Sequence, residues 1–558
     1  MKDKNTDSIN VKDKNTNPHN NSNYDIVLVC VLVGKLYNSN EHLGIGSIAS
    51  VLRKSGYSVK VLYIHESEVD EYITGEVLSN NPKIIGFNTY AITILKVTNI
   101  ATLIKSKNSS VKIFLGGPTA TFEDREILSK CEAVDFIIRG EGEFTVVEAV
   151  DAVFKNLSFD NIKGLSYKAK DNIIVNPNRK SIDDLDALPW PDRDFCEGKK
   201  PDYLIIETAR GCLGRCSFCS AANKSLYGGK VWRGRSVKNV IDEIEHLVKT
   251  YDVRAFNIID ASFEDPGMKG KKRIESFAKE IIDRNLEITY MAHFRSENIK
   301  EKDNYLLDLL IQSGLERVSL GLESGYSLGL KVFNKRATVE DNEEIVKILR
   351  NKHLALVSGF IMFQPYSSIE ELRENTNFLR KTGFACRFEN FEQHIEIYPG
   401  TPLKETMIKD GLITDKHDFT YRNYEYEYVD GRILPLARAM GNIANEYNIE
   451  FELFDLSMQI FCLRVRKKLS SQDEINKLNK FERELNKMRE GLSDNICDFF
   501  LNQVDDIEKG KWKEDNFRNL IDGGIVKPTI HTKHKIRRLQ KNYMKDLLSK
   551  SNFDFKKI

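Results

Sequence analysis

The sequence has no apolar run long enough to cross a membrane and no excess of either charge. Its longest apolar stretch, residues 26–34, is about half of what a spanning helix needs and is typical of a buried strand. Lysine and arginine number 83 against 82 aspartates and glutamates, so net charge does not point to nucleic acid. Residues 1–23 lack the apolar core of a secretory signal, which predicts a disordered polar tail and a cytoplasmic protein.

Cysteine is too sparse for a disulfide scaffold. Only nine cysteines occur in 558 residues, and a tight cysteine cluster in such a chain indicates a metal or redox site. Three of them lie together in residues 212–219. The other six are scattered and are expected to be small buried side chains: Cys30, Cys131, Cys196, Cys386, Cys462 and Cys497.

Strand-like and helix-like patterns alternate in two parts of the chain. In residues 24–155 the strands are nearly continuous apolar runs, which predicts a doubly wound, Rossmann-like α/β domain with a parallel sheet. Residues 156–200 lose this periodicity and contain the proline-stiffened segment LPWPDRDF, as expected of a linker. Residues 201–410 alternate again and predict a complete or partial TIM-type barrel. Residues 411–558 are mainly helical in pattern, and their basic end is more simply a solvated face than a nucleic-acid contact.

The strongest local signal is ARGCLGRCSFCS at residues 209–220, directly after the first predicted barrel strand. Its cysteines, Cys212, Cys216 and Cys219, have the spacing CxxxCxxC. Three thiolates on one short loop can hold a 4Fe-4S cube while leaving one iron without a protein ligand. Such an iron can chelate the amino and carboxylate groups of S-adenosylmethionine. Structural zinc is the alternative, but zinc needs a fourth protein ligand, and no cysteine or histidine follows at a customary interval.

Several motifs in order resemble the radical S-adenosylmethionine (SAM) superfamily, and specifically its members with an N-terminal cobalamin-binding domain. These motifs are IRGEGEFT at residues 138–145, the linker LPWPDRDF, GLESG at 321–325 followed by Asn334 and Lys335, and YPGTPL at 398–403. The resemblance covers residues 24–411. It implies a radical SAM barrel behind a Rossmann-like cobalamin domain.

The resemblance also implies positions for SAM. Glu323 and Ser324, at the end of the fourth barrel strand, are expected to meet its ribose or methionine part, since a carboxylate and a hydroxyl suit hydroxyl and ammonium groups. Asp260, which closes the second strand, is a further candidate, as are Gly359 and Ile361 beside the adenine. The match ends at Phe363 and Tyr366, where the family often has glycines, which predicts a remodelled adenine pocket.

Loops at the strand ends of the first domain are the predicted cobalamin site. The pattern D-x-H-x-x-G, whose histidine coordinates cobalt in another cobalamin family, is absent. Its counterpart NEHLGI keeps His42, which is one candidate for the lower cobalt ligand. The remaining candidates are mostly glycines that let the backbone approach a ligand: Gly44, Thr89, Gly116, Gly117, Gly140 and Glu141.

The preferred function is methyl transfer to an unactivated centre of a small molecule or peptide, with SAM, the iron–sulfur cluster and cobalamin as cofactors. The alternatives are a radical rearrangement or cyclisation, with or without cobalamin, and a non-catalytic iron–sulfur redox sensor. A reductant such as flavodoxin or ferredoxin is the expected protein partner. Glu389, Glu392 and His394, near the last barrel segments, are candidates for contact with the substrate.

Overall fold

A computed structural model describes residues 23–34, 41–170, 172–220, 228–413 and 426–548. The predicted polar tail, residues 1–23, lies outside these ranges except for Asn23. No helix in the described ranges combines the length and the apolar character that crossing a bilayer requires.

The first part of the chain is an α/β sandwich around a seven-stranded sheet, ordered β2-β1-β3-β4-β5-β6-β7. The first five strands are parallel, and β6 and β7 extend the sheet as an antiparallel hairpin. The strands are β1 Ile26–Leu32, β2 Val59–His65, β3 Ile84–Asn88, β4 Lys112–Gly116, β5 Phe136–Ile138, β6 Leu165–Ala169 and β7 Asn172–Val175. The helices are α1 Leu43–Lys54, α2 Asp70–Ser79, α3 Ile94–Lys107, α4 Pro118–Phe122, α5 Asp124–Lys130 and α6 Glu143–Lys155.

Strand β1 shows why this sheet is covered on both faces. All seven of its residues are buried. Val27, Val29 and Val31 pack into one core, whereas Ile26 and Leu28 pack into a second core on the opposite face. Because strand side chains alternate between faces, a continuous apolar run needs helices on both sides. The predicted doubly wound domain is confirmed.

The second part contains a five-stranded parallel sheet, ordered β14-β13-β12-β11-β8, and a two-stranded ribbon of β9 and β10. The strands are β8 Leu204–Ile206, β9 Ala209–Arg210, β10 Arg233–Gly234, β11 Ala255–Ile258, β12 Thr289–Arg295, β13 Leu315–Glu323 and β14 Ala355–Phe360. The helices are α7 Val237–Tyr251, α8 Gly267–Asp283, α9 Asn304–Gln312, α10 Ser327–Val332, α11 Val339–Asn351 and α12 Ile369–Thr382.

This sheet is a partial barrel rather than a complete one. The sixth unit expected from the sequence pairs only through an isolated bridge between Phe363 and His394. Along β12, every second residue is buried against the helices, and the residues between them are half-buried. These half-buried side chains, which include His293 and Arg295, line the concave face of the sheet.

The last part of the described chain is helical, as predicted. Its helices are α13 Pro402–Lys409, α14 Leu434–Met440, α15 Ile443–Glu446, α16 Phe451–Lys468, α17 Gln472–Glu508, α18 Glu514–Ile521 and α19 Lys527–Leu548. Their buried side chains, such as Leu463 and Phe500, belong to the same apolar core as the barrel strands. The basic stretch forms α19, where Lys535, Arg537 and Arg538 are exposed.

Candidate active site

The three clustered cysteines share one cavity at the carboxyl ends of the barrel strands. Cys212, Cys216 and Cys219 line a space of about 190 Å³ in the loop that follows β9. Each of them is half-buried, whereas the six scattered cysteines are all buried. The sequence predicted this contrast, and the loop lies where barrel enzymes place their reactive groups.

Gly214 gives the loop the room that these sulfur atoms need. Its N–H lies 3.2 Å from Cys212 Sγ. A Cβ at Gly214 would lie 3.2 Å from Cys212 Sγ, which is a tight contact, and 3.9 Å from Cys216 Sγ, which is an ordinary one. No three His, Cys, Asp or Glu side chains in the described ranges are close enough to enclose a single metal ion. Three cysteines match the protein ligands of a 4Fe-4S cube with one open iron, whereas structural zinc requires a fourth protein ligand.

Two cationic side chains, Arg295 and Lys335, line the same cavity as these thiols. Burial raises the pKa of Cys212 to about 11, and it also raises the pKa of Cys216. Arg295 opposes the first shift and Lys335 opposes the second, because positive charge favours a thiolate. Without metal, Cys212 and Cys216 are therefore protonated at neutral pH, and iron binding must release their protons.

Glu323 lies on the wall of the same cavity. The pairing of β13 with β14 shifts register between Gly321 and Glu323, and Glu323 has a positive φ of 64°. Lys335 donates to Glu323 Oε1 over 3.0 Å and also to the carbonyl of Gly321. A Cβ at Gly321 would lie 2.9 Å from Lys335 Nζ. The GLESG motif and the lysine that follows it thus form one charged pair beside the cysteines.

The other residues predicted to contact SAM divide into two groups. Gly359 lines the cavity, and the Ile361 N–H donates to the Glu323 carbonyl over 2.8 Å. Ser324 does not line the cavity; its buried hydroxyl donates to Asn375 Oδ1 over 2.9 Å. Asp260 is also buried outside the lining, where it accepts from the N–H of Thr208 over 2.7 Å. Ser324 and Asp260 therefore stabilise the turns around the cavity.

The substrate candidates face the helical region instead of the cavity. Glu389 accepts from the N–H groups of Phe451 and Glu452, at the start of α16. Glu392 accepts from the N–H of Ala444. His394 Nδ1 bonds to the Glu392 carbonyl over 2.7 Å, and its ring stacks on Phe363. Substrate contact stays a prediction for these three residues, and Glu389 and Glu392 already accept hydrogen bonds from the C-terminal helical region.

Two side chains on this cavity, His293 and Arg295, were not predicted. They occupy alternate positions of β12, and so both face the concave side of the sheet. Arg295 contacts Glu297 and lies 3.7 Å from Asp265. The alternation of β12 was a signal that could have identified both of them.

A second cavity, of about 330 Å³, opens at the carboxyl ends of the first sheet. The strand order reverses between β1 and β3, and ligands of such sheets bind at this switch point. Of the candidates, His42, Gly44, Gly116, Gly117, Gly140 and Glu141 line it. Thr89 does not; its buried hydroxyl donates to the Gly116 carbonyl over 2.9 Å and so fixes the loop.

The walls of this cavity combine bare backbone with apolar side chains. Gly117 has a φ of +96°, and a Cβ there would lie 2.7 Å from the carbonyl oxygen of Thr89. Leu28, Phe114 and Ile138 supply apolar surface. An opening with exposed peptide groups and apolar walls suits a flat heteroaromatic ligand with a polar tail. The residues present therefore fit the nucleotide part of cobalamin.

Both ring nitrogens of His42 have hydrogen-bond partners. His42 precedes α1, and its Nδ1 accepts from the N–H of Ile45 over 3.1 Å. Its Nε2 lies 2.9 Å from the hydroxyl of Tyr90. Burial lowers the pKa of His42 to about 4, so the ring is neutral. A role as lower cobalt ligand would require Nε2 to leave Tyr90.

One short segment joins the two cavities. Glu207 and Arg210 line the second cavity, and Cys212 lines the first. Arg210 donates to Glu207 and to Glu143, each over 2.7 Å, and Glu143 comes from α6 of the first domain. This group of charges, in which Glu143 is buried and Glu207 and Arg210 are partly exposed, was not predicted, because the sequence ARGC indicates only the start of a cysteine loop. One short segment, residues 207–212, therefore contributes to the walls of both cavities.

Comparisons with known families agree with this geometry. The B12 binding domain matches residues 29–150, and the radical SAM superfamily matches residues 206–379. The chain thus belongs to the radical SAM enzymes that carry a B12-binding domain ahead of the catalytic domain.

Among curated relatives, an uncharacterized methyltransferase, PH0819, of Pyrococcus horikoshii is 29% identical over 377 residues, covering 66% of this chain and 79% of that protein. The anaerobic magnesium-protoporphyrin IX monomethyl ester cyclase of Rubrivivax gelatinosus is 31% identical over 350 residues, which is 60% of each chain.

Solved structures share the fold. The cobalamin-dependent SAM radical enzyme OxsB, with aqua-cobalamin and SAM bound, superposes with a TM-score of 0.63 at 19% identity, covering 95% of this chain and 81% of OxsB. The radical SAM methyltransferase TsrM from Kitasatospora setae, with cobalamin and a [4Fe-4S] cluster bound, gives a TM-score of 0.54 at 15% identity, covering 70% of this chain and 76% of TsrM.

Proposed function

We propose that the protein transfers a methyl group to an unactivated centre, with an iron–sulfur cluster on Cys212, Cys216 and Cys219 and with cobalamin in the second cavity. The observation that carries the proposal is that residues 207–214 line both cavities, Glu207 and Arg210 the second and Cys212 and Gly214 the first. When bound, the reduced cluster would supply one electron that cleaves SAM into methionine and a 5′-deoxyadenosyl radical, and cobalamin would carry the methyl group.

The side chains around the first cavity would hold SAM in place. Glu323 is fixed by Lys335 and offers its second carboxylate oxygen to an ammonium or ribose hydroxyl. Gly359 leaves room for a ring against the backbone of β14. Ile361 acts indirectly, because its N–H fixes the carbonyl of Glu323. These three positions would hold SAM in one orientation beside the cluster cysteines.

The second cavity would bind cobalamin mainly through its backbone. Gly44, Gly116, Gly117 and Gly140 provide the close approach, while Glu141 is held by Arg233 over 2.7 Å and borders the opening. We assign no cobalt bond to His42, since both of its nitrogens are hydrogen-bonded. Thr89 supports the loop beneath the ligand.

We also propose limits for the domains, a class of substrate and an electron donor. The cobalamin domain spans residues 24–155, the linker 156–200, the radical SAM barrel 201–410 and the helical region 411–558. The substrate is a small molecule or peptide in the cytoplasm, and a flavodoxin or ferredoxin supplies electrons.

A radical rearrangement or cyclisation is the second candidate function. The likeness to the Rubrivivax cyclase, at 31% identity, favours it as much as the likeness to PH0819 favours methyl transfer. The redox-sensor hypothesis has less support, because a sensor has no need of the second cavity.

The test begins with anaerobic purification and measurement of iron, sulfide and corrinoid in one sample. The reduced protein is then incubated with SAM that carries a labelled methyl group, and 5′-deoxyadenosine is quantified. Formation of 5′-deoxyadenosine with bound corrinoid supports both enzyme hypotheses, and label in a product selects methyl transfer. Intact SAM after full reconstitution would contradict both and favour the sensor.

A further inference from the structure

A third cavity, of about 460 Å³, lies away from both cofactor sites, between α11, α12 and α17. Four basic side chains line it, against two acidic ones: Arg350, Arg380, Lys381 and Arg489, with Glu490 and Asp494. The two acidic residues are exposed, whereas Arg489 is buried. Positive charge therefore dominates the deeper part of this cavity.

Arg350 is the residue that makes this cavity unusual. It lies in the last turn of α11, and its guanidinium carbon is 5.0 Å from the centre of the Phe384 ring. Its Nε and Nη2 atoms are buried and have no hydrogen-bond partner among the described residues. Buried donors of a charged group are costly to leave without an acceptor. An acceptor from outside the chain is the simplest way to satisfy them.

The neighbouring charges do not neutralise Arg350. Asp455 is already shared by two arginines, at 2.7 Å from Arg387 Nη2 and 2.8 Å from Arg489 Nε. Burial and the positive charges of Arg489 and Arg387 lower the pKa of Arg350. A bound anion would remove this repulsion.

The cavity also joins separate elements. Arg350 belongs to α11, Lys381 to α12, and Arg489 and Ser493 to α17. The Gly383 backbone closes one side, since a Cβ there would lie 3.3 Å from Arg350 Nη2. A ligand with several acceptor oxygens can therefore contact the barrel helices and the long C-terminal helix together.

We propose that this cavity binds a phosphate group, either as free phosphate or as the phosphate of a nucleotide. The planar guanidinium of Arg350 presents two adjacent donors to two oxygens of one phosphate. Lys381, whose ammonium also pairs with Glu343 over 2.7 Å, and Ser493 line the same cavity and can add contacts to the phosphate. Because the site contacts neither cofactor cavity, the proposal is independent of the enzymatic reaction.

The test is calorimetric titration of the full-length protein in phosphate-free buffer at constant ionic strength. Inorganic phosphate, AMP and adenosine are the three probes. We expect saturable binding of phosphate or AMP that weakens at least tenfold in Arg350→Met. Arg373→Met is the matched control, because Arg373 lies in α12 but pairs with Asp505 and Glu508 outside the cavity.

The outcomes separate the two sources of phosphate. Tighter binding of AMP than of inorganic phosphate identifies a nucleotide site, and equal or weaker binding of AMP identifies a free-anion site. Absence of saturable phosphate and AMP binding in the wild type would overturn the proposal. So would equal affinity in the wild type and Arg350→Met.

A second variant covers the case in which Arg350→Met does not fold. Lys381 is 67% exposed, so Lys381→Gln should fold normally. We expect it to weaken phosphate binding several-fold without changing the unfolding temperature of the ligand-free protein. Unchanged phosphate affinity in Lys381→Gln would count against phosphate binding in this cavity.

Discussion

Arg193 donates to Glu41 over 2.7 Å, although 152 residues separate them in sequence. The other amino group of Arg193 donates to Glu243 in α7 over 2.6 Å. All three side chains are at least 97% buried. Glu41 precedes α1, and Arg193 belongs to LPWPDRDF, so the linker joins the first domain to the barrel through one guanidinium.

Replacing Arg193 should therefore destabilise the whole chain. Arg193→Met would leave the buried carboxylate of Glu41 without its cation, which costs about 3–5 kcal/mol, while Glu243 would keep its ion pair with Arg235. We expect a clear fall in the midpoint of urea denaturation. Lys200→Met is the control, because its pair with Asp252 is exposed and worth little. Equal midpoints for Arg193→Met and the wild type would contradict a stabilising role for this bridge.

The cluster assignment predicts a difference between cysteines. Cys216→Ala should lose most of the iron and the cluster absorbance, because only two thiolates remain. Cys131→Ala removes a buried thiol of the first domain and should keep both. Iron analysis and absorbance after anaerobic reconstitution provide the measurement. Full iron content in Cys216→Ala would rule out this ligand set.

Gly117→Ala should reduce corrinoid binding without affecting iron. The new Cβ would meet the Thr89 carbonyl at 2.7 Å, in a backbone conformation that costs an ordinary residue about 1–2 kcal/mol. The corrinoid content of the purified protein, measured by absorbance, should fall several-fold. Gly75→Ala in α2 meets no atom within 4 Å and is the control. Loss of iron together with corrinoid would indicate general misfolding instead.

Stability should decrease as the pH rises through neutrality. Burial raises the pKa of Glu371 to about 7 from 4.5, so the folded chain holds this proton more tightly than the unfolded chain. Its contribution is complete below about pH 4.5 and is lost as the pH passes about 7. We expect the denaturation midpoint to fall between about pH 5 and about pH 8, and less steeply in Glu371→Gln. The exposed neighbour Glu370 provides the control, Glu370→Gln, and identical slopes for all three proteins would disprove the role of Glu371.

The sequence predicted local features better than tertiary partners. Strand β1 was recognisable because an uninterrupted apolar run has one common use in a parallel sheet. The capping contact of α7 is local too, since the hydroxyl of Ser236 accepts from the N–H of Asn239, three residues later. Gly214 and Arg210 gave no such signal, since their roles depend on sulfur atoms and carboxylates brought close only by folding.

The residues at and near the first cavity also show that tertiary contacts are hard to predict from sequence. Glu323 ends β13 with a positive φ, and Ser324 follows in the turn, so the local turn geometry decides that only Glu323 lines the cavity. Likewise, Glu389 looks available in sequence, but its acceptor role was fixed by α16, which begins more than sixty residues later. The sequence pattern indicates where a side chain can lie, but the packing of the folded chain determines which residues it contacts.

The separation of Arg210 and Cys212 restricts how this protein can be re-engineered. Two residues of extended chain span only about 7 Å, so the arginine cannot be moved without moving the first cysteine. In a chimera that takes its first domain from a relative, Arg210 would face a different residue in place of Glu143. Grafts should therefore exchange α6 and residues 207–214 together.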